Sequence, residues 1–194
     1  MNPTLVVANT GPIVAARLCG FLELLPKALE KIHIPEIERD EWIRVLSKHN
    51  GRHAGIPDLN IPSWIEEWEK SKFLNVHKLS MPQTERAIRL NQHIHPNDPD
   101  KPAADGSAIV LARTLIDTEE AQALLADEPG LRKAAQIEEG IPVVGSLTIL
   151  VMLVQNKILE KNQALEMAVK GKQRGVHYSK KLLKDLTTSL ETLA

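Results

Sequence analysis

The sequence predicts an α/β protein whose parallel or mostly parallel sheet is covered by helices. Two observations indicate this class: short apolar strand-like runs recur along the chain, and segments with helical periodicity lie between most of them. Such alternation is typical of parallel strands that are connected through helices. The strand-like runs are Leu5–Ala8, Lys31–Ile34, Leu74–Lys78, Ala123–Ala126 and Pro142–Val144.

Helical periodicity can be followed through much of the remaining sequence. Pro12 suits the first turn of a helix, and the apolar stripe that follows it meets a break at Gly20. Trp64 and Trp68 are four residues apart, so one helical face would carry both, and core packing explains this pair better than base stacking. Further helices are predicted after Pro35, over Gln83–Ile94, around Ile109–Ile116, and over Pro129–Glu139, Ser146–Asn156, Lys161–Val169 and Tyr178–Leu193.

The length of 194 residues favours a single domain over residues 1–194, because a chain of this size can bury most of its apolar surface in one core. We expect an irregular insertion around residues 50–104. Its first part, Asn50–Pro62, is rich in Gly, Pro and Asn, and three prolines interrupt His95–Pro102. Residues 146–194 are expected to form a helical C-terminal region.

The composition indicates more about the cellular compartment of the protein than about its binding partners. A formal net charge of −1 neither favours nor excludes nucleic acid. Cys19 is the single cysteine, so an internal disulfide is excluded, and its apolar context indicates a buried packing residue. The longest apolar stretch, Leu147–Val154, is too short to span a bilayer, and we expect a cytoplasmic protein without membrane contact.

Polar side chains stand where two predicted strands end. Asn9 follows Leu5–Ala8 and Asp127 follows Ala123–Ala126, so both belong at the edge of a sheet where ligands usually bind. Asp105 precedes Ile109 by four residues, which places it on the buried stripe of its helix. Glu41 lies in the first turns of the helix after the second strand.

Carboxylates gathered at one edge repel each other unless a cation neutralises them. Because the candidate ligands are all oxygen atoms, Mg²⁺ or Mn²⁺ is the expected ion. Such an ion can activate water for phosphodiester hydrolysis. Each residue also has a structural interpretation: Asn9 and Asp105 can cap the helices they precede, Asp127 can cap the Pro129 helix, and Glu41 can be a solvated charge.

Several motifs together resemble the PIN-domain superfamily: VVANTGPIVA, IPEIERDEW, DGSAIVLA, LLADE and GIPVVGSLTIL. The last motif, with the tail KGKQRGVHYSKKLLKDL, is similar to the branch of small prokaryotic proteins related to VapC toxins that carry the DUF3368 region. The resemblance implies a three-layer α/β/α fold, a Mg²⁺- or Mn²⁺-dependent ribonuclease centre of three or four acidic residues, an RNA substrate, often a cognate antitoxin, and a homodimer.

The resemblance also assigns the site residues. Asn9 falls where the first aspartate of the family commonly stands, and Thr10 matches the hydroxyl residue that follows it. Glu41 matches the second acid, with Asp40 as the alternative. The third acid corresponds to Asp105, and the fourth corresponds to Asp127, with Glu128 beside it. An amide at position 9 removes one charge that a hard cation favours. The alternative function is therefore a catalytically degenerate PIN-like domain that binds RNA or protein.

Secondary contacts with substrate are predicted at Thr10, Ser146, Lys172 and Arg174. Ser146 lies at a strand-to-helix turn, and the two cations belong to the basic cluster Lys170, Lys172, Arg174, Lys180, Lys181 and Lys184. Such a cluster can hold an RNA backbone, or it can be a solvated helix face. His93, His95, Asp98 and Asp100 lie in or beside the proline-rich loop, which lacks the rigid scaffold that a zinc site needs, so no metal site is predicted there.

Overall fold

The structure is a computed structural model that describes residues 4–50, 52, 58–98 and 100–193, without the side chain of Glu138. Its sheet has parallel strands in the order β3-β2-β1-β4-β5. The α/β prediction is confirmed, and each observed strand overlaps a predicted one. The strands are β1 (Leu5–Ala8), β2 (Lys31–Pro35), β3 (Leu74–His77), β4 (Ala123–Leu125) and β5 (Val143–Val144).

Helices connect the strands and extend the chain after β5. The last three helices form the C-terminal region. The helices are α1 (Thr10–Cys19), α2 (Leu25–Ala28), α3 (Glu36–Ser47), α4 (Ile61–Lys70), α5 (Met81–Ile94), α6 (Ala104–Asp117), α7 (Pro129–Lys133), α8 (Ser146–Gln155), α9 (Lys161–Gln173) and α10 (Lys180–Glu191). None of the described helices is long and apolar enough to cross a membrane.

Two apolar cores lie on opposite faces of the sheet. Side chains alternate along a strand, so Val6 packs in one core with α1, α3, α4 and the C-terminal helices, whereas Val7 packs in the other with α6 and α7. Helix α5 packs on α6. The layers are therefore α/β/α, as the family resemblance implied.

The start and the end of α1 both follow from single residues. Asn9 has extended backbone geometry, and its side-chain oxygen accepts the backbone N–H of Gly11, so it caps the helix. Gly20 has a φ of +88°, a left-handed conformation that favours glycine, and it ends the helix at the predicted break. A short 3-10 turn over Leu22–Leu24 then leads into α2.

The stretch around residues 50–104 is more regular than expected. It contains α4, β3 and α5, and β3 is an edge strand of the sheet. Residues 51 and 53–57 of the predicted loop lie outside the described residues. Trp64 and Trp68 are both buried with ring centroids 4.0 Å apart, which confirms their role in core packing.

Close helix contacts depend on two small residues. A Cβ atom on Gly106 of α6 would lie 2.0 Å from the backbone oxygen of Ala87 in α5, so only glycine permits this approach. Likewise, a Cβ atom on Gly171 would lie 2.1 Å from Cys19 Sγ. Cys19 is buried, as predicted, and burial raises its pKa to about 11.

Candidate functional site

A cavity of about 1050 Å³ opens beyond the carboxyl ends of β1 and β4. It is lined partly by apolar side chains from α1 and α8 and partly by polar residues that follow the strands. The segment between α9 and α10 forms another part of its wall. Five predicted site residues line this cavity: Asn9, Thr10, Glu41, Asp105 and Asp127.

Asn9 links two carboxyl groups at the inner end of the cavity. Its Nδ2 donates to Glu38 Oε1 and to Asp105 Oδ1, with both distances 2.8 Å. Because its Oδ1 accepts from Gly11 and the carboxylate of Asp105 needs a donor, these partners fix the orientation of the amide. Thr10 Oγ1 donates to Glu38 Oε2 at 2.5 Å. Asn9 and Thr10 therefore hold Glu38 and Asp105 in place.

Glu38 is a site residue that the sequence analysis missed. It is fully buried on α3, and burial, followed by the charges of Glu41 and Asp105, raises its pKa to about 8, although its hydrogen bonds oppose that rise. Glu38 is therefore mostly protonated at neutral pH. A signal was present in the sequence: Glu38, Trp42 and Leu46 are four residues apart, and all three are fully buried.

Asp105 is the most highly connected acid of the cavity. It is buried in the first turn of α6, where Lys101 Nζ donates to its Oδ2 at 3.0 Å and His95 Nε2 lies 2.5 Å from the same oxygen. Asn91, which is buried on α5, donates to the backbone oxygen of Lys101 and so holds this loop. Asp105 makes no capping hydrogen bond to α6. The buried position predicted for Asp105 is confirmed.

Glu41 lines the cavity, whereas its alternative, Asp40, is exposed. Glu41 is half-buried one turn after Glu38 on α3. Burial, followed by the charge of Asp105, raises the pKa of Glu41 above its usual range, and Arg44 and Lys101 oppose that rise. Position 41 thus presents a carboxyl group of raised pKa to the cavity.

Asp127 lines another part of the cavity and has different partners. Its Oδ1 accepts the backbone N–H of Ser146 at 2.8 Å, so it caps α8 and not the Pro129 helix. Its Oδ2 is buried and has no hydrogen-bond partner among the described residues. Burial raises the pKa of Asp127, and hydrogen bonds from Ser146 and the charge of Arg132 oppose that rise. Ser146 Oγ also lies 2.7 Å from Tyr178 Oη.

The basic residues of the cavity differ from the predicted ones. Lys172 is exposed, and Arg174 donates to the backbone oxygen of Leu18 at 2.8 Å. Neither is among the described residues that line the cavity. Cationic side chains do reach it, from the loop before α6 and from α7: Lys101, Arg132 and Lys133.

The donor set of the site fits a divalent cation on the outer side of Asp105. Between Glu38 and Asp105, Asn9 presents amide hydrogens, which cannot ligate a metal. On the outer side, His95, Asp105 and Glu128 each offer one ligand atom, and these atoms lie within 4.8 Å of one another. Within the described ranges, Asp127 is not part of this group.

A parallel sheet with acidic residues gathered beyond its strand ends defines an α/β protein with a candidate metal-dependent centre. The DUF3368 family model, which is described as a PIN domain, matches residues 5–192. The chain therefore belongs to this PIN-domain family, which is of the nuclease type. Comparison with curated proteins and with solved structures found no match.

Proposed function

We propose that the protein is a divalent-metal-dependent endoribonuclease of the VapC-like type, which hydrolyses RNA phosphodiesters. The observation that carries the proposal is the single cavity lined by Glu41, Asp105 and Asp127 together with Asn9. Carboxylates from three separate elements meet there, in a chain of a nuclease-type family. A bound Mg²⁺ or Mn²⁺ would supply an activated water and offset negative charge on the phosphate.

The acidic residues have separate roles in this proposal. Asp105 and Asp127 would hold the ion, and Asn9 and Thr10 keep Asp105 and Glu38 in their positions. Glu41 would accept the proton of the attacking water, because burial raises its pKa and so makes it a better proton acceptor. Ser146 orients Asp127 through its backbone N–H.

Lys101 supplies positive charge for the substrate. Its ammonium group is held by Asp105, and its side chain is 34% exposed, so it can turn into the cavity and contact a phosphate oxygen. Arg132 and Lys133 line the wall nearby. The predicted RNA contacts at Lys172 and Arg174 lie outside the cavity lining and would involve more distant parts of the RNA backbone.

RNA cleavage with Mg²⁺ or Mn²⁺ tests this function. We expect the wild type to cut RNA and Asp105→Asn to lower the rate by at least about 100-fold, the order seen when one electrostatic stabiliser is removed. The matched control is Asp117→Asn, because Asp117 is an exposed acid on the same helix. The proposal fails if neither the folded wild type nor Asn9→Asp cuts RNA with either ion.

A second candidate function is favoured by the amide of Asn9. This amide bridges Glu38 and Asp105 by hydrogen bonds, so the inner acids are held together without an ion. A PIN-like domain of this kind would bind RNA or protein without cleaving RNA. Its signature would be RNA binding that is unchanged by a metal chelator in a protein that cuts no RNA.

The cognate antitoxin and the homodimer remain predictions of the family resemblance. Light scattering of the purified chain measures the oligomeric state, and a monomer at micromolar concentration would contradict the homodimer. Co-purification with the product of an adjacent small gene tests the antitoxin. Absence of binding to such a product would remove the toxin part of the proposal and leave the nuclease part intact.

A further inference from the structure

His95 reaches Asp105 from the end of helix α5. Its Nε2 lies 2.5 Å from Asp105 Oδ2, and Glu128 brings a carboxylate to the same place, so that the three ligand atoms lie within 4.8 Å of one another. Asp105 is buried, His95 is mostly buried, and Glu128 is exposed. The group therefore has a fixed inner part and an outer side that solvent can reach.

The ammonium group of Lys101 marks this point as a position for a cation. Its Nζ lies 2.9 Å from His95 Nε2 and 3.0 Å from Asp105 Oδ2. The tautomer of His95 that carries no hydrogen on Nε2 accepts from this ammonium group and offers the lone pair that binds a metal. The ammonium group thus lies where a metal ion would contact both His95 Nε2 and Asp105 Oδ2.

The other side of Asp105 is closed to an ion. Asn9 occupies Oδ1 with an amide hydrogen and turns its own oxygen toward Gly11. On the outer side, the carboxylates of Glu41, Asp105 and Glu128 all act on the single ammonium of Lys101. This excess of negative charge favours a divalent cation over the ammonium group.

We propose that His95 and Glu128 are metal ligands beside Asp105 and that this site selects Mn²⁺ over Mg²⁺. This inference rests on the proposed function but concerns the position and the kind of ion. Mg²⁺ binds oxygen ligands almost exclusively. Mn²⁺ also favours carboxylates, but as a transition-metal ion it accepts an imidazole nitrogen more readily than Mg²⁺ does. Lys101 leaves Asp105 when the ion binds and therefore competes with it.

Calorimetric titration of the full chain with Mn²⁺ and with Mg²⁺, in the absence of RNA, tests the site. We expect the wild type to bind Mn²⁺ at least about 10-fold more tightly than Mg²⁺. His95→Ala and Glu128→Gln should each weaken Mn²⁺ binding by at least about 10-fold, because even outer-shell residues often contribute that much. Glu128 is exposed, so its variant keeps the test valid if His95→Ala does not fold.

Two controls separate direct ligation from general effects. His93→Ala removes an exposed imidazole from the last turn of α5 and should leave Mn²⁺ affinity unchanged. Lys101→Met should raise Mn²⁺ affinity more than Lys133→Met does, although both remove one positive charge from the cavity. Equal effects of the two lysine variants would overturn the competition by Lys101.

The proposed site fails if the wild type binds Mg²⁺ as tightly as Mn²⁺, or if it binds neither ion at millimolar concentration. It also fails if Asp127→Asn abolishes Mn²⁺ binding while His95→Ala and Glu128→Gln do not. RNA assays distinguish this failure from failure of the proposed function. If His95→Ala cleaves RNA as fast as the wild type, the metal site is wrong but the nuclease function stands. If the wild type binds Mn²⁺ through His95 but cleaves no RNA, the metal site stands and the nuclease function is wrong.

Discussion

Asp105 and Asp127 line the same cavity, but their surroundings differ. Asn9, His95 and Lys101 contact the two oxygens of Asp105, so the chain itself neutralises this carboxylate. Asp127 receives a backbone hydrogen bond on one oxygen, and its other oxygen is buried without a partner in the described part of the chain. The partners of a carboxyl group, more than its place near a strand end, therefore decide what it can bind.

The largest expected effect lies behind Asp105, at Glu38. Glu38→Ala leaves Thr10 and one hydrogen of Asn9 without their buried acceptor, so the free energy of unfolding should fall by about 3 kcal/mol. Urea denaturation at pH 7 measures this loss. The control is Glu36→Ala, an exposed acid on the same helix, which should stay within about 0.5 kcal/mol of the wild type. A loss below about 1 kcal/mol for Glu38→Ala would show that the hydrogen bonds of Glu38 with Asn9 and Thr10 contribute little to stability.

Replacement of Asp105 and of Asp127 by asparagine should lower the free energy of unfolding by unequal amounts. Asp105→Asn weakens its contacts with Lys101 and His95 and should cost about 2 kcal/mol of unfolding free energy. Asp127→Asn retains the oxygen that accepts from Ser146 and removes a charge disfavoured by burial, so its cost should be below about 0.5 kcal/mol. Chemical denaturation of both variants at pH 7 makes the comparison, and equal losses would contradict the distinction between the two aspartates.

Glu38 should also make the free energy of unfolding depend on pH. The pKa of Glu38 is raised from 4.5 to about 8, so the folded state favours its neutral form. Its contribution is complete below pH 4.5 and is lost as the pH rises toward 8, with a slope of up to about 1.4 kcal/mol per pH unit. Unfolding free energies at pH 5, 6, 7 and 8 should fall less steeply in Glu38→Gln. Parallel profiles for the two proteins would refute this assignment.

A smaller effect than at Glu38 or Asp105 is expected at Tyr178, whose partner Ser146 also binds Asp127. Tyr178→Phe removes the hydroxyl that lies 2.7 Å from Ser146 Oγ and should cost about 1 kcal/mol. A double-mutant cycle with Ser146→Ala isolates the hydrogen bond, because the two losses should then be less than additive. Full additivity would mean that Tyr178 and Ser146 act independently and that the C-terminal segment is not coupled to Asp127 through this bond.

Much of the fold could be predicted because strands and helices bury apolar residues at different spacings. Every observed strand overlaps a predicted run, and Gly20 ends α1 where the apolar stripe was interrupted. The sequence analysis also identified Asn9, Asp105, Asp127 and Glu41, which all line the cavity. These positions depend on local signals, namely the residue that follows a strand and the spacing along one helix.

Glu38 shows why the rest of the site was harder to predict. The segment IPEIERDEW contains four acidic residues, and the orientation of α3 relative to the sheet decides which of them points inward. The family pattern favoured Glu41, which does reach the cavity, but the fully buried acid is Glu38. The available signal was the four-residue spacing of Glu38, Trp42 and Leu46. This spacing predicts a buried Glu38 only if a charged residue is allowed on the apolar face of the helix.

His95 shows the limit more clearly. In the sequence it belongs to a proline-broken loop without an evident scaffold, yet the close packing of α5 on Gly106 brings it to Asp105. The sequence by itself determined the strands, the helices and the acids that follow them, because these depend on local spacing. Only the tertiary structure decided which side chains contact each acid, because that depends on how helices pack and on which groups burial leaves without water.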